Sequence, residues 1–520
     1  MAGEGEFDML VIGGGINGAG IARDAAGRGL RVLLCEQDDL ASHTSSSSSK
    51  LIHGGLRYLE HSAFRLVSKA LAEREVLLRA APHIIWPLRF VMPHDRSLRP
   101  AWMIRLGLFL YDHLDFGKRQ LLGDSEGLDL RRHPAGAALR EHIVKGFAYS
   151  DGWAQDARLV VLNAMDAAER GARVLTRTRC VAAHRDGDCW RARLQSTAAG
   201  ARREAPLEVS ARALVNAAGP WVSSLLDEVL QQPERHAVRL VKGSHIVVPR
   251  LFDHDYAYIL QNTDKRVVFA LPYEGDYTLI GTTDLEYRGD PAAVAIDDDE
   301  IGYLCAAVNR YFRRSVGPAD VIWHFAGVRP LVDDESGAAA EVSRDYRLAL
   351  DAPGAAGEAA GAPLLSVFGG KITTYRRLAE EAVDLLAPAL GCTAGGWTAD
   401  AAPLPGGDLA DADFDAFLAA FRARHAWLSE ALALRYARSY GSRAELLIGD
   451  ADSPAGLGAP LGDEVFAAEL DYLASHEWAR CAEDVLWRRS KLGLHIGEAT
   501  RRNIELWFDE NLVRFDRQAS

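Results

Sequence analysis

A glycine-rich turn between two short apolar runs at the start of the chain, strand-like alternation through its middle, and consecutive amphipathic helical patterns at its end predict an α/β plus α+β protein. The expected architecture is a Rossmann-like dinucleotide domain built from discontinuous segments, an antiparallel-sheet substrate domain and a C-terminal helical cap. At 520 residues the chain is too long for one core, so several domains are required.

Composition narrows the functional classes. With 48% hydrophobic and 25% charged residues the chain is globular, neither disordered nor fibrous. A formal net charge of -13 argues against nucleic acid as a partner, since phosphate neutralisation needs a basic surplus. Six scattered cysteines, with no CxxC pair and no metal-ligand spacing, fit a reducing compartment and predict neither disulfides nor a metal site. The N-terminus has an acidic stub in place of a secretory leader, so a cytoplasmic location is expected. No apolar run reaches about 18 residues, so any membrane contact is expected to be peripheral.

The first element, Phe7 to Ile12, is an apolar run suited to a strand buried on both faces. Gly13, Gly15 and Gly18 then fill a G-x-G-x-x-G, with Ile16 and Asn17 inside it, and a helix rich in small residues follows to Gly29. A second strand ends at Glu36. Glycines let backbone approach a pyrophosphate, the helix start offers N–H groups, and the acid about 20 residues on accepts ribose hydroxyls. Glu36 disfavours a 2'-phosphate, leaving NAD or FAD.

The next element is a polar loop, Leu40 to His61, whose Thr44, Ser45, Ser46, Ser48, Ser49 and Lys50 offer donors to a pyrophosphate or ribityl chain. It leads through Leu51 into His53, Gly54 and Gly55, not into a linker or a new domain. Two later segments read as returns to the dinucleotide. One is Ala211 to Leu226, with Ala217, Gly219 and Trp221. The other is Leu364 to Leu386, where Gly370, Lys371, Thr373 and Thr374 stand at a helix start.

Taken together, IGGGINGAGIARDAAGRGL, SSSKLIHGGLRYLEH, RPAWMIRLGLFLYDHL, YSDGWAQDARLV, LVNAAGPWV, VKGSHIVVPR, IGTTDLEY, GVRPL, SRDY and FGGKITTYRRLAE cover nearly the full length. By them the chain resembles the FAD-dependent, quinone-linked glycerol-3-phosphate dehydrogenases of the D-amino-acid-oxidase-like flavoproteins. Ala218 departs from the family's pattern, in which a threonine is expected. The resemblance implies oxidation of sn-glycerol 3-phosphate to dihydroxyacetone phosphate with FAD, electron delivery to a membrane quinone, and a homodimer bound peripherally to the inner face of the cell membrane. The FAD-binding domain is then expected at 1–80, 151–235 and 363–390, with Gly281 also near the cofactor. A membrane-facing or substrate-domain insertion is expected at 81–150, the substrate sheet at 236–362 and the helical domain at 391–520.

A small phosphate dianion needs fixed cations, and arginine's planar fork suits two phosphate oxygens. Arg57, Arg329 and Arg344 match the family's substrate motifs, with Tyr58 and Thr374 as hydrogen-bonding neighbours. His53, His245 and Lys371 are candidate proton acceptors or alkoxide stabilisers, which the sequence does not rank. Val238 to Pro249, Ala257 to Pro272 and Thr278 to Thr283 alternate as strands of a wall over the flavin. Ile84 to Phe116 mixes aromatics with Arg89, Arg99 and Arg105, the composition of an interfacial helix or of an ordinary core helix. Three rival activities are an oxygen-using glycerol-3-phosphate oxidase, an amino-acid or amine oxidase, and a non-catalytic FAD-binding protein; the second would not need several phosphate-binding arginines.

Overall fold

The computed structural model describes residues 5–56, 64–94, 100–114, 122–198, 205–232, 238–264, 266–332, 345–352, 361–400 and 402–519, without the side chains of 513 and 516–519. Its first sheet has a parallel centre in the order Leu364–Phe368, Leu207–Asn216, Glu6–Ile12, Val32–Cys35, Arg173–Leu175. An antiparallel edge, Arg347–Asp351, and an antiparallel wing, Thr178–Asp186 with Cys189–Ser196, complete it. Met9 and Val11 enter one hydrophobic core while Leu10 enters another on the opposite face, which is why the first strand reads as an unbroken apolar run.

The helix Ile16–Gly27 lies between the helices Asp156–Glu169 and Tyr375–Leu390. Small residues make that possible: Ala19, Ala22 and Ala25 are fully buried, and a Cβ at Gly20 would lie 2.8 Å from the Tyr375 ring. Arg23 is buried in the same layer, bonded to Asp166 at 2.6 Å and to the carbonyls of Ala402 and Pro403.

The second sheet has ten strands, in the order Leu285–Glu286, Val238–Pro249, Tyr277–Gly281, Val267–Tyr273, Ala257–Gln261, Ile85–Pro93, Lys145–Ala154, Leu51–Ile52, with Trp323–Val332 and Glu126–Asp129 alongside. It is antiparallel except where Ala257–Gln261 runs parallel to Ile85–Pro93. Alternate residues feed different cores. Ile246, Val248, Leu260 and Ile280 face the helix Asp298–Asn309, whereas Val247, Ile259 and Leu279 face the helices Phe64–Ala80 and Ala101–His113. Both faces are therefore covered, and Val238–Pro249 is buried over most of its length instead of alternating between core and solvent.

Two expected elements divide. Ala257 to Pro272 is a hairpin of two strands. Ile84 to Phe116 is not one amphipathic element: Ile85–Pro93 is an interior strand, and only Ala101–His113 is a helix. On this strand, packed from both sides, Trp86 lies against Trp153 and Arg89 bonds Ser150 and Glu126, so the aromatic and basic composition of that stretch carried no helical meaning.

From Phe414 onward the chain builds a separate helical core around Phe421, Leu432, Tyr436, Leu470, Leu473 and Ile504. Charged pairs join it to the first sheet's loops and to the helix Asp156–Glu169. Arg489 forks onto both oxygens of Asp39 at 2.6 and 2.7 Å, Arg177 meets Asp484 at 2.7 Å, and Arg158 pairs with Glu477. Trp487 stacks on Trp323 with ring centroids 4.3 Å apart. Asp39 also meets Arg488 at 2.7 Å, but Arg489 is fully buried and in addition donates to the Glu477 carbonyl, so its loss strips two buried acceptors of a charged donor. Arg489→Ala is accordingly expected to cost about 3–5 kcal/mol, read as a lower midpoint in urea denaturation; a midpoint equal to the parent's would contradict the role given to this pair.

Candidate active site

The glycine turn is shaped by contacts no larger residue permits. Gly13 has φ +112°, and a Cβ there would sit 2.5 Å from the Ala217 carbonyl oxygen; one at Gly18 would sit 1.9 Å from that of Gly13. The Glu36 carboxylate is buried beneath the turn and accepts N–H bonds from Gly14 at 2.6 Å and Asp38 at 2.9 Å. Ser45 Oγ accepts the Ile16 N–H at 3.0 Å.

These groups border an open cleft. Gly13, Gly15, Glu36 and Ser45 line one side, with Ala217, Gly219 and Trp221 on the other. Trp221 packs edge-on to His43 at 4.6 Å. Asn17 Nδ2 donates to the Gly369 carbonyl at 3.1 Å, while its Oδ1 is buried with no hydrogen-bond partner among the described residues. Close backbone, a buried ribose-type carboxylate and an unspent amide oxygen fit a dinucleotide.

The serine run is a pinned arch, not a flexible linker. Lys50 Nζ donates to both oxygens of Asp156, at 2.8 and 3.0 Å, each side chain being 2% exposed. Asp156 begins the helix Asp156–Glu169, so its carboxylate also stands at a helix N-terminus. Ser48 Oγ donates to the same carboxylate at 2.8 Å, Thr44 Oγ1 to the Val328 carbonyl at 2.7 Å, and Ser46 Oγ to the His43 carbonyl at 3.1 Å. Leu51 is core, paired across the sheet with Trp153. The side chains of Ser48, Lys50 and Leu51, expected at the cofactor, are thus spent on holding the arch, because a buried ammonium needs an anionic partner more than a ligand does.

Beyond the arch, the remaining candidates gather. His53 N–H donates to Thr373 Oγ1 at 3.2 Å, and Gly54 N–H to Tyr111 Oη at 2.8 Å. Tyr111 in turn donates to the buried Asp151, which Arg74 also holds, so the His53–Gly55 turn rests on a fixed polar base. Gly370, Lys371 and Thr374 lie in the turn before the helix Tyr375–Leu390, beside Asn17.

His245 is 1% exposed on its strand, stacked on Phe325 at 4.8 Å, with Nε2 3.0 Å from Ser49 Oγ. Gly281 is where it must be for that ring: a Cβ there would lie 2.0 Å from His245 Cδ2. Burial, aided by the nearby Arg329 and Lys50 charges, holds the imidazole well below its ordinary pKa, so it is neutral. Arg329 Nη1 meets Asp284 at 2.6 Å, and Nη2 meets Thr282 Oγ1 at 3.2 Å.

Arg57, Tyr58 and Arg344 lie outside the described residues. Asp156, Asp151, Tyr111, Asp284 and Phe325 have places in this constellation that the sequence reading did not give them. Only Asp156 carried a usable signal, an acid at the first position of a helix directly after a strand.

Comparison with known proteins agrees with this geometry. Residues 8–376 match the FAD dependent oxidoreductase family, and residues 398–506 match the C-terminal domain of alpha-glycerophosphate oxidase. The chain is 55% identical to a glycerol-3-phosphate dehydrogenase of Pseudomonas aeruginosa, covering 94% of this chain and 92% of that one. It is 52% identical to a D-erythritol 1-phosphate dehydrogenase of Brucella abortus, covering 97% and 98%. The crystal structure of the glycerol-3-phosphate dehydrogenase from Bacillus halodurans complexed with FAD superposes with a TM-score of 0.76 at 26% identity, over 99% of this chain and 94% of that one.

Gly13→Ala combines a strained φ with a clash against Ala217, and is expected to yield a folded chain without visible flavin absorbance. Full flavin content per chain in that variant would contradict the cradle described above.

Proposed function

Because the chain belongs to the family of FAD-dependent glycerol-3-phosphate dehydrogenases, we propose that it oxidises sn-glycerol 3-phosphate to dihydroxyacetone phosphate and passes the electrons to a membrane quinone. When bound, FAD supplies a ring able to accept the hydride from C2. The observation that carries the reading is the buried His245 on one strand and Arg329 on its neighbour, both tied by the serine arch to the dinucleotide turn.

In this reading Arg329, steadied by Asp284 and Thr282, presents its fork to the phosphate. His245 takes the C2 hydroxyl proton. Lys371 and His53, at the opposite turn, stabilise the developing alkoxide, and Thr373 and Thr374 order that turn. Arg57, Tyr58 and Arg344 complete the phosphate site on the strength of their motifs.

The relative acting on D-erythritol 1-phosphate shares the same anionic end, so a longer polyol phosphate is the second reading. Mixing the holoprotein anaerobically with each ester separates them: glycerol 3-phosphate is expected to bleach the flavin, and bleaching by the erythritol ester alone would transfer the assignment. Arg329→Ala is expected to keep its flavin while binding glycerol 3-phosphate about 10- to 100-fold more weakly. Since His245 stays unprotonated below its ordinary pKa, the acid limb of kcat/KM is expected below pH 6.5. A limb at or above that value would count against His245 as the proton acceptor.

Among the described residues no helix is long and apolar enough to cross a membrane. Peripheral binding at the inner face of the cell membrane belongs to the same proposal, and its support is the helix Ala101–His113. Ile104, Leu108 and Tyr111 are buried, yet Trp102, Met103, Leu106 and Phe109 remain 67%, 43%, 51% and 52% exposed, an arrangement suited to entering lipid. The basic half of the expected lipid site is weaker: Arg89 pairs with Glu126, Arg105 donates to Ser125, and Arg99 lies outside the described residues. A homodimer joined through the helical domain, where Leu434, Leu446 and Leu506 are exposed, completes the proposal. Replacing Leu106 and Phe109 together by Glu is expected to abolish co-flotation with lipid vesicles and leave flavin reduction intact, each side chain contributing about 1.5–3 kcal/mol; undiminished flotation would exclude this helix.

A further inference from the structure

One wall of the dinucleotide cleft is held from outside by the helical domain. Gln37, Ala41, Ser42 and His43 line that wall from the loop after Glu36, and Thr178 and Arg179 line it from the start of the strand Thr178–Asp186. Backbone joins the two segments: the Glu36 carbonyl accepts the Thr178 N–H and the Asp38 carbonyl accepts the Arg177 N–H, each at 2.7 Å. Leu40 is fully buried against the glycine turn, its Cδ2 2.9 Å from where a Cβ at Gly14 would lie. His43, with Nε2 2.8 Å from Asp38 Oδ2, reaches across to Trp221 on the other wall.

Asp39 and Arg177, one from each segment, turn instead to Asp484–Arg489 of the helical domain. Arg488 Nε donates to Asp39 Oδ2 at 2.7 Å and its Nη2 to Asp484 Oδ1. Arg177 Nη2 donates to Asp484 Oδ2 at 2.7 Å, and its Nη1 stands 3.9 Å from Asp39 Oδ1. Four charges thus alternate around a closed ring, two from the cofactor domain and two from the helical domain, and Arg489 forks onto Asp39 from the side. Both carboxylates are buried, so neither can exchange a guanidinium for water while the ring is closed.

This placement couples two events. A dinucleotide with its ribose on Glu36 is enclosed by the loop 37–43, and its release requires the loop to draw back from Trp221. The loop draws back only by taking buried charges apart. Linkage makes the effect mutual: a cofactor that fills the cleft keeps Asp39 and Arg177 where the ring needs them. We propose that the C-terminal helical domain retains FAD, with Arg488 and Asp484 as positioning residues that act through Asp39 and Arg177 to hold the loop over the ribose end of the cofactor. The proposal depends on FAD alone and not on which ester is oxidised.

The test follows release of FAD from the holoprotein, read as recovery of flavin fluorescence after dilution, far below the temperature at which the chain unfolds. Arg488→Gln and Arg177→Gln are each expected to speed release about 5- to 150-fold. Asp484→Asn should accelerate release clearly less in the Arg177→Gln background than alone, since the two residues share one bond. Arg435→Ala is the control: it breaks the 2.8 Å pair with Glu469 inside the helical domain, and is expected to lower the urea midpoint while FAD leaves at the parental rate. Ring variants that lose urea resistance but keep the parental release rate would overturn the proposal, as would equal acceleration by Arg435→Ala. Hydrogen exchange on the unaltered holoprotein gives a reading that does not depend on how the variants fold. Amides of residues 484–489 are expected to exchange more slowly as free FAD is raised, while those of 470–473 stay constant. No slowing at 484–489, or equal slowing at 470–473, would sink the idea.

Discussion

The buried ion pair between Lys50 and Asp156 is the constraint on which the rest of the site depends. Two charges that are each 2% exposed have no alternative partner in water, so the loop carrying one must lie where the helix carrying the other begins. Such a pair contributes little net stability, but it selects a single path for the chain. Along that path Ser45 meets the dinucleotide helix, Thr44 meets the strand of Arg329, and Ser49 meets His245. One electrostatic requirement thus brings the first sheet and the second sheet to the same place.

The sheets are organised to make that junction rigid. In the first, alternate residues of each central strand enter different cores, so no strand can slip without exposing one set. In the second, the same logic holds with helices on both faces. The helical domain then bonds the loop just upstream of the arch through Asp39 and stacks Trp487 on Trp323, two residues before Phe325. The C-terminal part therefore buttresses both the loop upstream of the arch and the strand that carries Phe325.

Much of this was legible in the residues, and the limits have physical causes. The dinucleotide turn could be read because glycine spacing, strand burial and an acid at fixed distance are all local. The gathering of Thr373 with His53, or Asn17 with Gly369, is a long-range contact that only the motif resemblance suggested. Ile85–Pro93 misled because a strand buried on both faces and an interfacial helix draw on the same apolar and aromatic residues. The serine run is harder to read: composition counts its hydroxyls as ligand donors, whereas Ser48 Oγ donates to Asp156, the buried partner of Lys50.

The first sheet also dictates when this protein can fold during synthesis. Its central strands come from the stretches 6–35, 207–216 and 364–368, and Leu207–Asn216 stays without its outer parallel neighbour until residue 368 has left the ribosome. Until then a nascent chain carries a half-built sheet with apolar edges, the condition under which chaperones are recruited. Synthesis of the helical domain begins only after that neighbour exists, so in the order of translation the buttress arrives once the wall it supports can close.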